Sequence, residues 1–169
     1  AQERAKYDAL LDFARALPRL RRRAAAHLRL EPYEREWTSA IAVGVINKAW
    51  FRVGSERHAR SARTYGVTTL RKNRKLVRRS VSDPALATGI SALLDLPNGS
   101  RVFRFERDDE LVALTSPVLN EYIAENLSRP YTAKDFRTWG GTLLAATELA
   151  RRGPSESEAE RKQTLASVM

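Results

Sequence analysis

Two short segments concentrate side chains that could act on a phosphate group. One contains Arg52, and the other contains Lys134 and Arg137. A guanidinium group stays protonated, is planar and can donate paired hydrogen bonds to two oxygens of one phosphate, where charge accumulates during phosphoryl transfer. The residue types alone leave a plainer alternative, in which Arg52 is a solvated helix end and Arg137 is a surface arginine paired with Asp135 or Glu148.

The charge of the chain predicts an anionic partner. Lys and Arg number 30 against 20 Asp and Glu, which gives a formal net charge of +10 and an isoelectric point near 10.5. This balance is typical of proteins that bind nucleic acid. A membrane surface is the weaker alternative, because no stretch approaches the ~20 apolar residues of a spanning helix and no amphipathic helix is free of acidic residues.

The cysteine and histidine content excludes several kinds of site. The 169 residues contain no cysteine, so disulfides and thiolate metal ligands are excluded. The two histidines, His27 and His58, are too few and too isolated for a zinc site. We therefore expect an intracellular, metal-free protein that works without a small-molecule cofactor.

The elements before residue 84 place Arg52 at the end of a helix. Apolar spacing predicts a first helix with a break or kink at Pro18, and a second helix over residues 34–51 that delivers Arg52. The β-branched stretch 66–70 predicts a strand that enters a basic turn, with residues 76–81 as its return strand.

The rest of the chain is predicted to be mostly helical. Ser82 and Asp83 before Pro84 predict a helix over residues 84–94, and residues 102–105 alternate as a short strand. Further helices are expected from Ser116, after Thr132, over residues 143–150 and over residues 155–168. The fold class is therefore mainly α with a small β-sheet or hairpin (α+β), in a single domain over residues 1–169.

Two sequence motifs in this order resemble the type IB DNA topoisomerases of the small viral and bacterial kind. The resemblance extends over all 169 residues, and it implies the fold of the topoisomerase IB and tyrosine recombinase catalytic domains. The motifs are Phe51-Arg52-Val53-Gly54-Ser55-Glu56-Arg57, followed by Thr64-Tyr65-Gly66-Val67-Thr68-Thr69-Leu70, and Lys134-Asp135-Phe136-Arg137-Thr138-Trp139-Gly140-Gly141-Thr142.

The resemblance implies an enzyme that relaxes supercoiled DNA. In this family a tyrosine hydroxyl attacks a phosphodiester, which leaves a 3′-phosphotyrosyl enzyme and a free 5′-hydroxyl. The strands then rotate and are resealed without ATP or metal. By resemblance, Arg52 and Arg137 are the two arginines that hold the scissile phosphate.

Several other residues are expected to contact DNA by the same resemblance. Lys134 is similar to a lysine near the scissile phosphate, although a lysine in a first helical turn can also be merely solvated. His58 stands where the family usually has a tyrosine that touches bases, so base preference is in doubt there and a structural histidine is nearly as plausible. The remaining expected DNA-binding residues are Ser55, Tyr65, Arg71, Lys72 and Arg74.

The catalytic lysine of the family has no clear counterpart. The family carries it in a Gly-Lys turn of a β-hairpin, and this sequence contains no Gly-Lys pair. Either the hairpin is shortened, or residues between Arg74 and Leu76 are absent from the sequence as it stands, which is the interpretation we favour. Lys75 then resumes the chain after the turn; it remains the candidate for the catalytic acid, with a surface charge as the alternative.

The nucleophile of the family also has no counterpart. None of the five tyrosines lies in the expected setting, about one helix beyond a point that here ends at Met169. We therefore expect the chain as given not to cleave DNA, and we expect truncation to explain this rather than an evolved loss. The family also has an N-terminal DNA-clamping domain, which is expected before residue 1.

The sequence is also compatible with two other functions. A tyrosine recombinase or integrase shares the fold and chemistry, but usually has a His-x-x-Arg pattern where this chain has Lys134 and Arg137. A non-catalytic DNA-binding module would use its arginine clusters for phosphates alone, and Arg52 and Arg137 would then not converge. In each case the expected partner is double-stranded DNA, for a monomer that is cytoplasmic and nucleoid-associated.

Overall fold

The structure, a computed structural model, describes residues 2–61, 65–73, 82–153 and 157–158, with the backbone alone at 2–6, 57, 58 and 60. Helices dominate these residues, and the predicted fold class of mainly α with a small sheet is confirmed. In chain order the elements are α1 (Gln2–His27), α2 (Arg35–Ala49), α3 (Glu56–Ser61), a 3₁₀-helix (Val67–Thr69), α4 (Pro84–Asp95), β1 (Arg104–Arg107), β2 (Glu110–Ala113), α5 (Ser116–Leu127) and α6 (Ala133–Arg152).

The core lies where α1, α2 and α5 pack together, with α4, α6 and β1 around them. Helix α2 is its central element, because nine of its 15 residues are buried. Each large apolar side chain removed from water in this way contributes about 1.5–3 kcal/mol. The largest fully buried side chains include Phe13, Leu20, Ile41, Ile46, Phe105, Leu119, Tyr122 and Ile123.

The predicted break at Pro18 is wrong, because α1 runs through it without interruption. Proline removes one helical hydrogen bond and crowds the preceding turn. Here Pro18 faces solvent, while Leu17 and Leu20 on either side of it are buried in the core. Burial of this apolar face offsets the local cost of the proline.

The predicted strand at residues 66–70 is also wrong, because Val67–Thr69 form a 3₁₀-helix. Threonine hydroxyls explain the difference, since they offer the backbone partners outside a β-ladder. Gly66 N donates to Thr69 Oγ1 at 2.9 Å, and Thr68 Oγ1 donates to the Val53 carbonyl at 2.9 Å. The predicted return strand over residues 76–81 lies outside the described residues.

The small sheet is a single antiparallel hairpin of β1 and β2. Its turn residues, Asp108 and Asp109, both have positive φ (52° and 60°), as the favoured two-residue hairpin turns require. The predicted strand at 102–105 is displaced by two residues, and β2 was not predicted, because its alternation is too short to be distinctive.

The remaining helices agree with the sequence except at Gly140 and Gly141. The helix that starts after Thr132 continues through both glycines as α6, so the expected helix at 143–150 is its second half. The short helix α3 was not predicted, and most of residues 155–168 lie outside the described residues. In the part of the chain that the structure describes, no helix is both long and apolar enough to cross a membrane.

Candidate active site

Three separate segments line one open cavity of about 310 Å³. They are the loop that follows α2, the residues before the 3₁₀-helix and the first turn of α6. Both arginines that the sequence singled out lie in this lining. The lining residues are Arg52, Val53, Gly54, Ser55, Tyr65, Gly66, Ala133, Lys134 and Arg137.

The 3₁₀-helix fixes the backbone that carries Arg52. Val67 N donates to the Arg52 carbonyl at 2.8 Å, and Thr68 N donates to the Val53 carbonyl at the same distance. The Thr68 hydroxyl adds a second hydrogen bond to Val53. These hydrogen bonds satisfy the carbonyls of Arg52 and Val53 and the amides of Val67 and Thr68. They hold the main chain of Arg52 in place, while its side chain faces solvent.

Two glycines allow these segments to approach each other closely. A Cβ atom on Gly66 would lie 2.3 Å from both the Arg52 carbonyl oxygen and Gly54 N. Gly54 has a φ of +92°, in the left-handed region that favours glycine. Backbone contact at the wall of the cavity therefore explains Gly54 and Gly66, the two glycines of the first motif.

Arg101 supports this wall from behind, and sequence reasoning missed it. Its guanidinium donates to the Thr68 carbonyl at 3.1 Å and to the Glu56 carboxylate. The side chain is only 14% exposed. It therefore ties the 3₁₀-helix to α3, and no local pattern in the sequence signals a contact between positions so far apart.

The first turn of α6 forms the opposite wall. Thr132 N donates to the Asp135 carboxylate at 2.7 Å, and Ala133 N donates to Asn120 Oδ1 at 3.0 Å. Phe136 is buried and packs edge-on against Phe13, with the ring centroids 5.1 Å apart. These contacts anchor one face of the turn and leave the other face to the cavity.

The cavity is electrostatically suited to an anion. Arg52, Lys134 and Arg137 line it, and no Asp or Glu belongs to the lining. Within the described residues none of these three cations forms an ion pair or a side-chain hydrogen bond. The positive end of the α6 dipole adds to the same field.

The plainer interpretation of Arg137 as half of a surface ion pair is not supported by the geometry. The Asp135 carboxylate accepts from the Thr132 amide and hydroxyl. The Glu148 carboxylate binds Arg151 and Arg152, whose guanidinium groups lower the pKa of Glu148 to about 2. Both carboxylates expected as partners of Arg137 are therefore engaged elsewhere.

The other expected DNA-binding residues fall into three groups. Ser55 and Tyr65 line the cavity. Arg71 and Lys72 lie outside its lining, where Arg71 donates to Ser100 Oγ at 3.3 Å and the Lys72 ammonium donates to the Leu96 carbonyl.

The side chains of the third group, Arg74 and His58, are not among those that the structure describes. Arg74 and Lys75, the candidate for the catalytic acid, lie outside the described residues. For His58 the structure gives only the backbone, within α3.

The α1 arginines whose side chains are described do not line the cavity. Arg19 donates to Ser128 Oγ at 3.1 Å and Arg21 donates to Asn47 Oδ1 at 3.0 Å, while Arg22 and Arg23 are exposed. They form a basic surface on the helix. Because Arg52 and Arg137 share a cavity that this surface does not contribute to, the two sets of arginines are spatially distinct.

The described tyrosines differ in their access to the cavity. Tyr65 alone among them is part of its lining. Tyr122 is fully buried with its hydroxyl 2.8 Å from His27 Nδ1, and burial raises the pKa of Tyr122 well above its ordinary value. Tyr122 therefore serves the core.

Comparison with known proteins points to one group of enzymes. Residues 1–82 match the family described as eukaryotic DNA topoisomerase I, catalytic core, and this stretch includes Arg52. The chain is also 25% identical to DNA topoisomerase 1B of Acanthamoeba polyphaga mimivirus over 186 aligned positions, which cover 95% of this chain and 55% of that protein. The chain thus spans about half the length of this relative.

The alignment contains more positions than the chain has residues. Its 186 positions outnumber the 169 residues of the chain, so the relative has residues that have no counterpart here. The match nevertheless extends over nearly the whole chain, including the first turn of α6. Both matches agree with the resemblance of the two arginine segments, so the chain is similar to type IB DNA topoisomerases over nearly its whole length.

Proposed function

We propose that this chain supplies the phosphate-holding part of an enzyme that relaxes supercoiled double-stranded DNA through transient cleavage of one strand. The observation that carries the proposal is the cavity that Arg52, Lys134 and Arg137 share, where the described residues provide no carboxylate in the lining and no ion pair to any of the three. Three like charges that share a cavity repel one another, and an anion that bridges them relieves the repulsion. In the enzymes that this chain resembles, the bound anion is a phosphodiester of DNA.

The reaction places these cations around the scissile phosphate. A tyrosine hydroxyl attacks the phosphorus, the bond to the 5′ oxygen breaks and a 3′-phosphotyrosyl link forms, while the 5′ oxygen takes up a proton. Charge grows on the two non-bridging oxygens in the transition state, and Arg52 and Arg137 can each donate paired hydrogen bonds to them. Reversal of the same steps reseals the strand, so no ATP is consumed.

The roles of the other residues belong to the same proposal. Lys134, at the first turn of α6, contributes charge near the phosphate, and Ser55 and Tyr65 contact the DNA backbone beside it. The exposed arginines of α1 add phosphate contacts away from the chemistry. We further propose that the protein acts as a monomer, without a cofactor, in a cytoplasmic and nucleoid-associated location.

Removal of Arg137 from the full-length protein tests the function. Arg137→Ala should lower the rate of plasmid relaxation by about 10² to 10³, because a preorganised donor to the transition state is lost. Duplex affinity should stay within a few-fold, since Arg137 is one of many cations that meet the DNA. Arg137→Lys should recover little activity, because an ammonium keeps the charge but not the paired donors.

The matched control is Arg22→Ala, which removes the same charge from the exposed surface of α1. It should relax plasmid at nearly the wild-type rate. Relaxation should also continue in EDTA without ATP. Wild-type activity in Arg137→Ala, or loss of activity on chelation, would contradict the proposed function.

A further inference from the structure

Trp50 adopts an unusual backbone conformation at the end of α2. Its φ and ψ are 52° and 36°, in the left-handed region, and its N–H donates to the Ile46 carbonyl at 2.8 Å. Side chains with a Cβ atom are disfavoured there, and a bulky residue persists in this region only when its surroundings hold it. A contact of the indole with another element is therefore expected.

That contact is with Gly140 in the interior of α6. A Cβ atom at residue 140 would lie 3.0 Å from Trp50 Cε2 and Nε1 and 3.1 Å from Cδ2, so the indole lies directly against the glycine backbone. Glycine weakens a helix interior, so its presence there calls for a packing reason. The adjacent Gly141 has nothing within 4 Å of its own Cβ position.

The contact joins the two segments that form opposite walls of the cavity. Trp50 precedes Arg52 by two residues, and Gly140 follows Arg137 by three, which places it about one helical turn away. Neither Trp50 nor Gly140 lines the cavity. They are therefore placed to set the separation of the two guanidinium groups without touching what those groups bind.

We propose that Trp50 and Gly140 are positioning residues whose contact fixes the distance between Arg52 and Arg137. The catalytic importance of this distance rests on the proposed function, while the positioning itself does not. A misplacement on the order of 1 Å can cost roughly 10²-fold in rate when two groups must grip one reacting centre. A Cβ atom at 3.0–3.1 Å from the indole would force the ring or the helix to move by a few tenths of an ångström, which is a sizeable part of such a misplacement.

Adding a methyl group at residue 140 tests the proposal. Gly140→Ala in the full-length protein should lower the single-turnover rate of DNA cleavage by about 2- to 10-fold, with duplex affinity within a few-fold of wild type. Gly141→Ala is the matched control, because it adds the same methyl group and the same gain in helix propensity in open space. It should cleave at nearly the wild-type rate.

A second variant makes room for the added methyl group. Trp50→Phe in the Gly140→Ala background shortens the ring system at the contact, and it should recover a large part of the lost rate. It also keeps the test valid if Gly140→Ala alone folds poorly. Failure of the double variant to exceed Gly140→Ala, with both folded, would contradict a steric origin.

A second measurement needs no catalysis. Crystal structures of the wild type, Gly140→Ala and Gly141→Ala report the separation of the Arg52 and Arg137 guanidinium groups at the scale of the expected shift. Gly140→Ala should change this separation and Gly141→Ala should not. An unchanged separation, or equal cleavage rates in the two alanine variants, would overturn the proposal. Wild-type activity in Arg137→Ala would instead overturn the proposed function and leave this separation as the remaining test.

Discussion

The close approach of Gly66 to the Arg52 segment can be tested with one methyl group. Gly66 has a φ of −132°, which any residue adopts, so Gly66→Ala imposes no backbone strain of its own. Its Cβ atom would, however, lie 2.3 Å from the Arg52 carbonyl oxygen and from Gly54 N. The effect of this substitution is therefore purely steric and acts directly on the wall that carries Arg52.

The size of the effect follows from the distances. Ordinary contacts begin at 3.4 Å, so one of the two backbones must retreat by about 1 Å, and no flexible side chain is present to yield. Overpacking of this kind costs about 1–3 kcal/mol in the free energy of unfolding. For a domain of this size the melting temperature should fall by about 2–4 °C for each kcal/mol. Displacement of Arg52 by about 1 Å should lower the cleavage rate by roughly 10²-fold.

The assay is single-turnover cleavage of a suicide DNA substrate by the full-length protein, together with thermal unfolding. The matched control is Gly89→Ala, whose Cβ atom would lie 2.6 Å from Ile41 Cδ1 in the core and away from the cavity lining. This variant should lose stability, with the flexible isoleucine taking up part of the strain. It should retain nearly full cleavage at a temperature where it is folded.

Two results would refute this reasoning. A folded Gly66→Ala protein that cleaves at the wild-type rate would mean that the position of Arg52 does not depend on this contact. If Gly89→Ala lost as much cleavage as Gly66→Ala, the loss would reflect general destabilisation. The two variants therefore separate the position of Arg52 from the stability of the fold.

Two further predictions concern DNA binding and the start of α4. The logarithm of DNA affinity should fall linearly with that of salt concentration, with a slope of about −0.9 for each neutralised phosphate, and a flat response would rule out phosphate-dominated binding. Asp83→Ala should cost about 0.5–2 kcal/mol of unfolding free energy at neutral pH, because the carboxylate caps the Leu86 amide. Its hydrogen bond to Lys48 and that amide hold the pKa of Asp83 below its ordinary value, so this stabilisation is present above about pH 4 and is lost as pH falls through the lowered pKa. Urea unfolding across this pH range measures the difference in unfolding free energy between Asp83→Ala and wild type, with Asp95→Ala at the far end of α4 as control. This difference should become smaller in acid, and a difference that does not change with pH would contradict the assignment.

The sequence by itself predicted most helices and singled out the two arginines that line one cavity. Apolar periodicity placed α2, and the Asp83-Pro84 pair placed the start of α4. Both features depend only on residues close together in the sequence. The excess of 30 basic over 20 acidic residues indicated a polyanionic partner. The two arginine segments indicated the family, since their residue types and order are distinctive.

Only the tertiary structure decided how these residues are arranged. Local propensity predicted a strand at residues 66–70 and a break at Pro18. The Thr68 hydroxyl that bonds to the Val53 carbonyl and the burial of Leu17 and Leu20 beside the proline outweighed it. The shared cavity of Arg52 and Arg137, the support from Arg101 and the contact of Trp50 with Gly140 all join segments that are distant along the chain. Such contacts depend on packing between elements, and the sequence pattern within one element does not specify which other element it packs against.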